Sequence, residues 1–118
     1  MRLTEVTYGS AKAIEGYGPG FFRVAGHVLR GPCLITPWDA GPWGGYDDTA
    51  TPLSLVDRID VLFVGTGTNI APVPKAFCEA LEGQGIGVEI MASPTAARTY
   101  NVLLGEGRRV AVALIPVD

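Results

Sequence analysis

Three apolar runs separated by helix-length segments fill the chain from Leu53 onward, and few folds accommodate that order. Val61-Leu62-Phe63-Val64 is a continuous apolar run between Asp60 and Gly65, as a strand buried on both faces of a parallel sheet requires. Gly87 to Met91 and Arg109 to Pro116 supply two further strands, the second almost wholly apolar. Helical patterns lie between them. Pro74 fits a first turn, Val73, Phe77 and Leu81 recur every four residues on one side, and Gly83 can end that helix in the left-handed conformation. The next helix opens with Ser93 as N-cap and Pro94 at the first position, carries Ala97, Tyr100 and Leu104 on one face, and can terminate at Gly105. Consecutive strand and helix units of this length imply right-handed crossovers and a sheet with a parallel part.

The first half has another style. Lys12 to Tyr17 and Phe21 to Ala25 flank Gly18-Pro19-Gly20, a turn signal that predicts an antiparallel hairpin. Short strands at His27 to Arg30 and Cys33 to Thr36, punctuated by Gly31-Pro32, extend it into a small antiparallel meander. Thr36 to Pro52 shows no clean period and reads as a long loop. Its Trp38 and Trp43 either anchor a partner, since aromatics concentrate at interface hot spots, or fold inward to cap the sheet, which is the preferred reading. Asp47-Asp48 lacks the alternate ligands of a calcium loop and is expected to be a solvated turn.

Composition limits the class. At 118 residues the expectation is one α/β domain over positions 1–118, and 47% hydrophobic against 18% charged residues excludes a disordered chain. A formal charge of −3 argues against nucleic acid as a partner, because backbone binding depends on clustered Lys and Arg. The longest stretch without a charge, Val61 to Pro74, is shorter than the roughly 20 residues of a membrane span. The start of the chain lacks the apolar region of a secretory signal, so a cytoplasmic location is expected. Neither Cys33 nor Cys78 has a Cys or His at metal-ligand spacing. Both are expected to be reduced packing residues, with no metal and no cofactor.

The most chemically suggestive segment is Gly65-Thr66-Gly67-Thr68-Asn69, directly after a buried strand, where α/β folds present ligands. Small residues there let backbone N–H groups face a phosphate or carboxylate, and Arg98 and Asn101 could recognise the same anion. The dinucleotide fingerprint is incomplete: Ile70 occupies the third small position, Pro72 and Pro74 delay the helix, and Glu89, near the ribose-binding spacing, falls in mid-strand. Lys75 lacks the flanks of a phosphate-binding loop. His27, the only histidine, has no nucleophile elbow to serve and reads as an ordinary strand residue, so no catalytic residue is assigned. Structural roles are open beside the ligand reading. Asn101 inside a helix calls for a nearby loop backbone to bond, and Tyr100 buries its ring while keeping its hydroxyl on a polar partner.

The block from Val61 through Gly65-Thr66-Gly67, Arg98 to Leu104 and Glu106 to Val110 resembles a family of small one-domain proteins. That family contains mitochondrial complex I (NADH dehydrogenase) assembly factor 3, the adipogenesis-associated protein, and bacterial proteins known only as a domain of unknown function. The Gly-Thr-Gly turn and the Tyr100-Asn101 pair on a late helix are its identifying features. The resemblance extends over essentially the whole chain, including Gly26 to Pro37, and is strongest after residue 60. Ser93 stands where the family usually has Thr, and both can cap a helix. The resemblance implies a three-layer α/β domain, with a mixed central sheet packed against helices and a smaller antiparallel sheet. It also implies a non-enzymatic soluble helper that assists assembly of a respiratory membrane complex through protein partners, with peripheral association at the inner face of the membrane. The alternative is a small-molecule or nucleotide binder, reductase-like, using the Gly-Thr-Gly turn.

Overall fold

The computed structural model describes residues 12–118 and divides their strands between two sheets. β1 (Ile14–Gly18), β2 (Phe21–Val24) and β3 (His27–Arg30) form the antiparallel meander that the turn signals predict. Between β2 and β3, Ala25 and Gly26 both take positive φ, 52° and 78°, the paired left-handed geometry that suits twisted hairpin strands. Ala25 carries a Cβ into that region at a cost of about 1–2 kcal/mol.

β4 (Cys33–Ile35) does not extend the meander. It pairs antiparallel with β8 (Val110–Ile115) in a second sheet, which corrects the sequence expectation. Cys33, Leu34 and Ile35 are all buried, and consecutive residues can be buried only in a strand covered on both faces. The Thr36 to Pro52 stretch is likewise no single loop, since it contains β5 (Ala40–Pro42), paired with β4, and a one-turn helix, α1 (Ala50–Leu53). Ala-Gly-Pro has no strand propensity of its own, and its partner strand and edge position decide its conformation.

The remaining elements are β6 (Val61–Thr66), α2 (Lys75–Glu82), β7 (Gly87–Met91) and α3 (Ser93–Gly105). The five-stranded sheet runs β5-β4-β8-β6-β7, with β6 parallel to both β7 and β8, so the sheet is mixed as expected. Alternation along the central strands divides the core. Phe63, Val110, Val112 and Leu114 face α3 and the three-stranded sheet, which contributes Phe22 and Val24. Leu62, Val64, Ala111 and Ala113 face Phe77 and Leu81 of α2, together with Trp43, Leu55 and Ile59.

The two long helices end at Glu82 and Gly105, at the glycines the sequence marks, but the left-handed residue comes two positions later in each. Gly83 has φ −64°, and the left-handed residue is Gly85 at +90°. Gly105 lies within α3, and Gly107 turns left-handed at +78°. In each case two hydrogen bonds close the end as a Schellman motif: Ile86 N–H to Leu81 and Gly85 N–H to Glu82, then Arg108 N–H to Leu103 and Gly107 N–H to Leu104. Ile86 and Leu81 are both buried in one cluster, and that contact selects Gly85 over Gly83.

Candidate functional site

The turn after β6 is shaped by close approach. A Cβ at Gly65 would lie 2.6 Å from Ser93 Oγ and 2.7 Å from Leu114 Cδ2, so only glycine fits. Ser93 does not cap α3. Ala92 holds the N-cap position, and the Ser93 hydroxyl instead donates to Ile115 O at 2.5 Å while accepting the Gly67 N–H at 2.8 Å. The Ser93 N–H donates to Gly67 O at 2.8 Å. This fully buried hydroxyl therefore ties together the ends of β6, α3 and β8, and the close approach of Gly65 leaves it no freedom to turn back on its own helix.

The other polar groups of the turn are engaged in the same way. The Thr66 hydroxyl donates to Asn69 O at 2.8 Å and accepts the Ala71 N–H at 2.9 Å, and the Thr68 hydroxyl accepts the Asp118 N–H at 2.9 Å. Asn69 is exposed. Asn101 lies eight residues beyond Ser93, about 12 Å along the helix. Its amide donates to Ile14 O at 2.7 Å and accepts Ile14 N–H at 2.9 Å, completing the edge of β1 as a neighbouring strand would. The adjacent Tyr100 has a fully buried ring and donates its hydroxyl to Lys12 O at 2.7 Å, and burial pushes its phenol pKa well above the usual value. Arg98 is exposed, and with Asn101 and β1 it borders a cavity of about 300 Å³ whose walls include none of Gly65 to Asn69. The Asn101 amide is thus committed to β1 and not to the glycine turn.

The two tryptophans diverge. Trp43 is 3% exposed, stacks edge-on with Tyr46 and against Phe77 at 5.6 and 5.7 Å between ring centroids, and donates its indole N–H to Asp48 O at 3.0 Å. Trp38 is 38% exposed, and the Arg58 guanidinium carbon lies 3.9 Å from its ring centroid. The pair stands at a cavity of about 260 Å³ over β4, β5 and α1. Sequence reasoning singled out Trp38 and missed Arg58, because no period or motif links residues twenty positions apart in an irregular segment. Asp47-Asp48 is more than a solvated turn: the Asp48 carboxylate accepts Gly44 N–H at 2.9 Å, Thr51 N–H at 3.0 Å and the Thr51 hydroxyl at 2.6 Å.

The cysteines are free, and burial pushes the Cys33 thiol up to about 12 and raises that of half-buried Cys78, which keeps both protonated. His27 is exposed on β3. Among the described residues no three His, Cys, Asp or Glu side chains gather as a metal site, and no helix is long and apolar enough to cross a membrane.

Residues 14–115 match the family model described as "Protein of unknown function (DUF498/DUF598)". An uncharacterized protein of Rhodobacter capsulatus is 49% identical over 99% of this chain and 94% of its own length. Human NADH dehydrogenase (ubiquinone) 1 alpha subcomplex assembly factor 3 is 34% identical over 98% of this chain, which spans 67% of that relative. Among solved structures, a Bartonella henselae chain described as an outer membrane protein superposes with a TM-score of 0.82 at 33% identity, over 92% of this chain and 98% of that one. As the glycine turn and the Tyr-Asn pair imply, the chain belongs to the DUF498/DUF598 family, with complex I assembly factor 3 among its relatives.

Proposed function

We propose that this chain is a non-enzymatic helper that assists assembly of a respiratory membrane complex of the complex I type, acting through protein contacts from the cytoplasmic side of the membrane. The observation that carries the proposal is its 34% identity over 98% of its length with the human assembly factor. The geometry supports it by subtraction. Two of the groups suited to hold a small anion, the Gly67 N–H and the Thr66 hydroxyl, donate within the fold instead. Nucleotide or metabolite binding at Gly65 to Asn69 has no comparable support.

The test is a strain deleted for the gene, with complex I content read on native gels and NADH oxidation measured in membranes. The expected result is a loss of both, restored by the intact gene. Unchanged content and activity would sink the proposal. A thermal-shift panel of nucleotides and metabolites separates the two readings, because a ligand at 100 times its Kd adds about 2.7 kcal/mol to stability. The helper reading expects no shift.

A further inference from the structure

We infer that the cavity beside Trp38 is a partner-docking site, and that it takes an acidic side chain, aspartate or glutamate, presented by a protein segment. This rests on the reading of the chain as a helper that works through protein contacts.

Trp38 is exposed on a firm base. The buried Thr36 hydroxyl accepts the N–H groups of Trp38 and Asp39 at 3.2 and 2.8 Å and donates to Asp39 O at 3.1 Å, which fixes the turn that carries the indole. The Arg58 guanidinium carbon sits 3.9 Å over that indole, and among the described residues no protein acceptor takes its N–H donors. Among the described residues Arg58 makes no ion pair, whereas Arg109 pairs with Asp60 at 3.3 Å and donates to Asp57 O at 3.1 Å. A Trp-Arg pair at a cavity is the composition in which binding energy concentrates at protein interfaces.

Charge then chooses the occupant. The cavity, about 260 Å³, has room for a side chain. Leu34, Leu55 and Pro42 give the cavity an apolar floor for its methylenes. Asp39 also stands in the wall, its Oδ1 accepting the Ala40 N–H at 2.8 Å, and Arg58 is the one cation among the lining residues. Strand pairing is closed to the partner here. Bonds from Thr36 N–H to Asp39 O and from Trp43 N–H to Pro32 O turn Gly41 inward, the Ala40 N–H is taken by Asp39, and Pro42 has none, so the outer edge of β5 offers no donor.

The test titrates the full chain with the capped tripeptide acetyl-Leu-Glu-Ala-amide, its Gln counterpart and inorganic phosphate, while two-dimensional NMR follows the Trp38 indole N–H and the Arg58 side-chain N–H. Shifts at both groups are expected with the Glu peptide. Binding should be about ten-fold weaker for the Gln peptide, for phosphate and in Arg58→Gln or Arg58→Lys, and unaltered in Arg108→Gln. Equal response to the Glu and Gln peptides, phosphate binding as tight as the peptide, or an unaltered response in Arg58→Gln would overturn the inference. In cells, Arg58→Gln should accumulate normally and fail to restore complex content to the deletion strain. Full restoration would remove the docking site and leave the assembly role standing, whereas a deletion without phenotype would remove that role while the titration still decides the cavity.

Discussion

At the α3 corner, the Ser93 hydroxyl, the Asn101 amide and the Tyr100 phenol all end on backbone groups distant in sequence, whereas at the α1 corner the Arg58 guanidinium ends on the face of Trp38 with its donors open. The difference follows from water. A buried polar group without a partner carries its full desolvation penalty, so folding selects sequences in which each finds one. Arg58 lies at the surface, where solvent satisfies its donors until something displaces it. Polar residues of the first corner therefore report on the fold, and those of the second are available for recognition.

The contrast can be broken by mutation. Tyr100→Ala empties the largest fully buried side chain and should cost about 3–5 kcal/mol by denaturant unfolding. A loss below 1 kcal/mol would mean that α3 is not held as described. Ser93→Ala leaves the buried Gly67 N–H without an acceptor and should cost about 1–3 kcal/mol. Near-neutrality would show that the hydroxyl does not tie the strand ends.

Asp48 lies between these extremes, half-buried and bonded. Its donors, the Thr51 hydroxyl foremost, stabilise the charged carboxylate and hold its pKa below the usual value. The stabilisation is therefore complete above the unfolded-state pKa and fades as pH falls through the folded one. Asp48→Ala should lower the urea midpoint at neutral pH, and the gap to the parent should close on acidification below the carboxylate range. A gap independent of pH would contradict the bonding. The smallest effect is expected at the other corner, where Arg58→Gln should change stability by less than about 0.5 kcal/mol. A larger loss would make Arg58 a structural residue and erase the contrast.

Much of the carboxy-terminal half was legible because β6 and β8 are long apolar runs and its helices carry a clear buried face, as with Phe77 and Leu81. The need of Asn101 for a backbone partner was legible too, although that partner is 87 positions away on β1 rather than in a nearby loop. The cap assigned to Ser93 failed for a related reason. A serine before Pro94 satisfies the local rule for an N-cap, and only the proximity of Gly65 and Ile115 gives its hydroxyl a stronger use. Gly83 and Gly105 marked where the helices end, but hydrogen bonds beyond those ends put the left-handed residue at Gly85 and Gly107.

The sequence by itself determined the order of strands and helices from β6 onward, the turns of the meander and the family, since each depends on short-range pattern or residue identity. Tertiary structure alone decided that β4 leaves the small sheet, that Trp43 turns inward while Trp38 stays out, and that Arg58 comes to lie on Trp38. These outcomes depend on which distant surfaces meet. Trp43 finds Phe77 and Tyr46 to pack against, whereas Trp38 carries a cation over its ring and stays 38% exposed, and no local pattern separates two tryptophans in the same irregular segment.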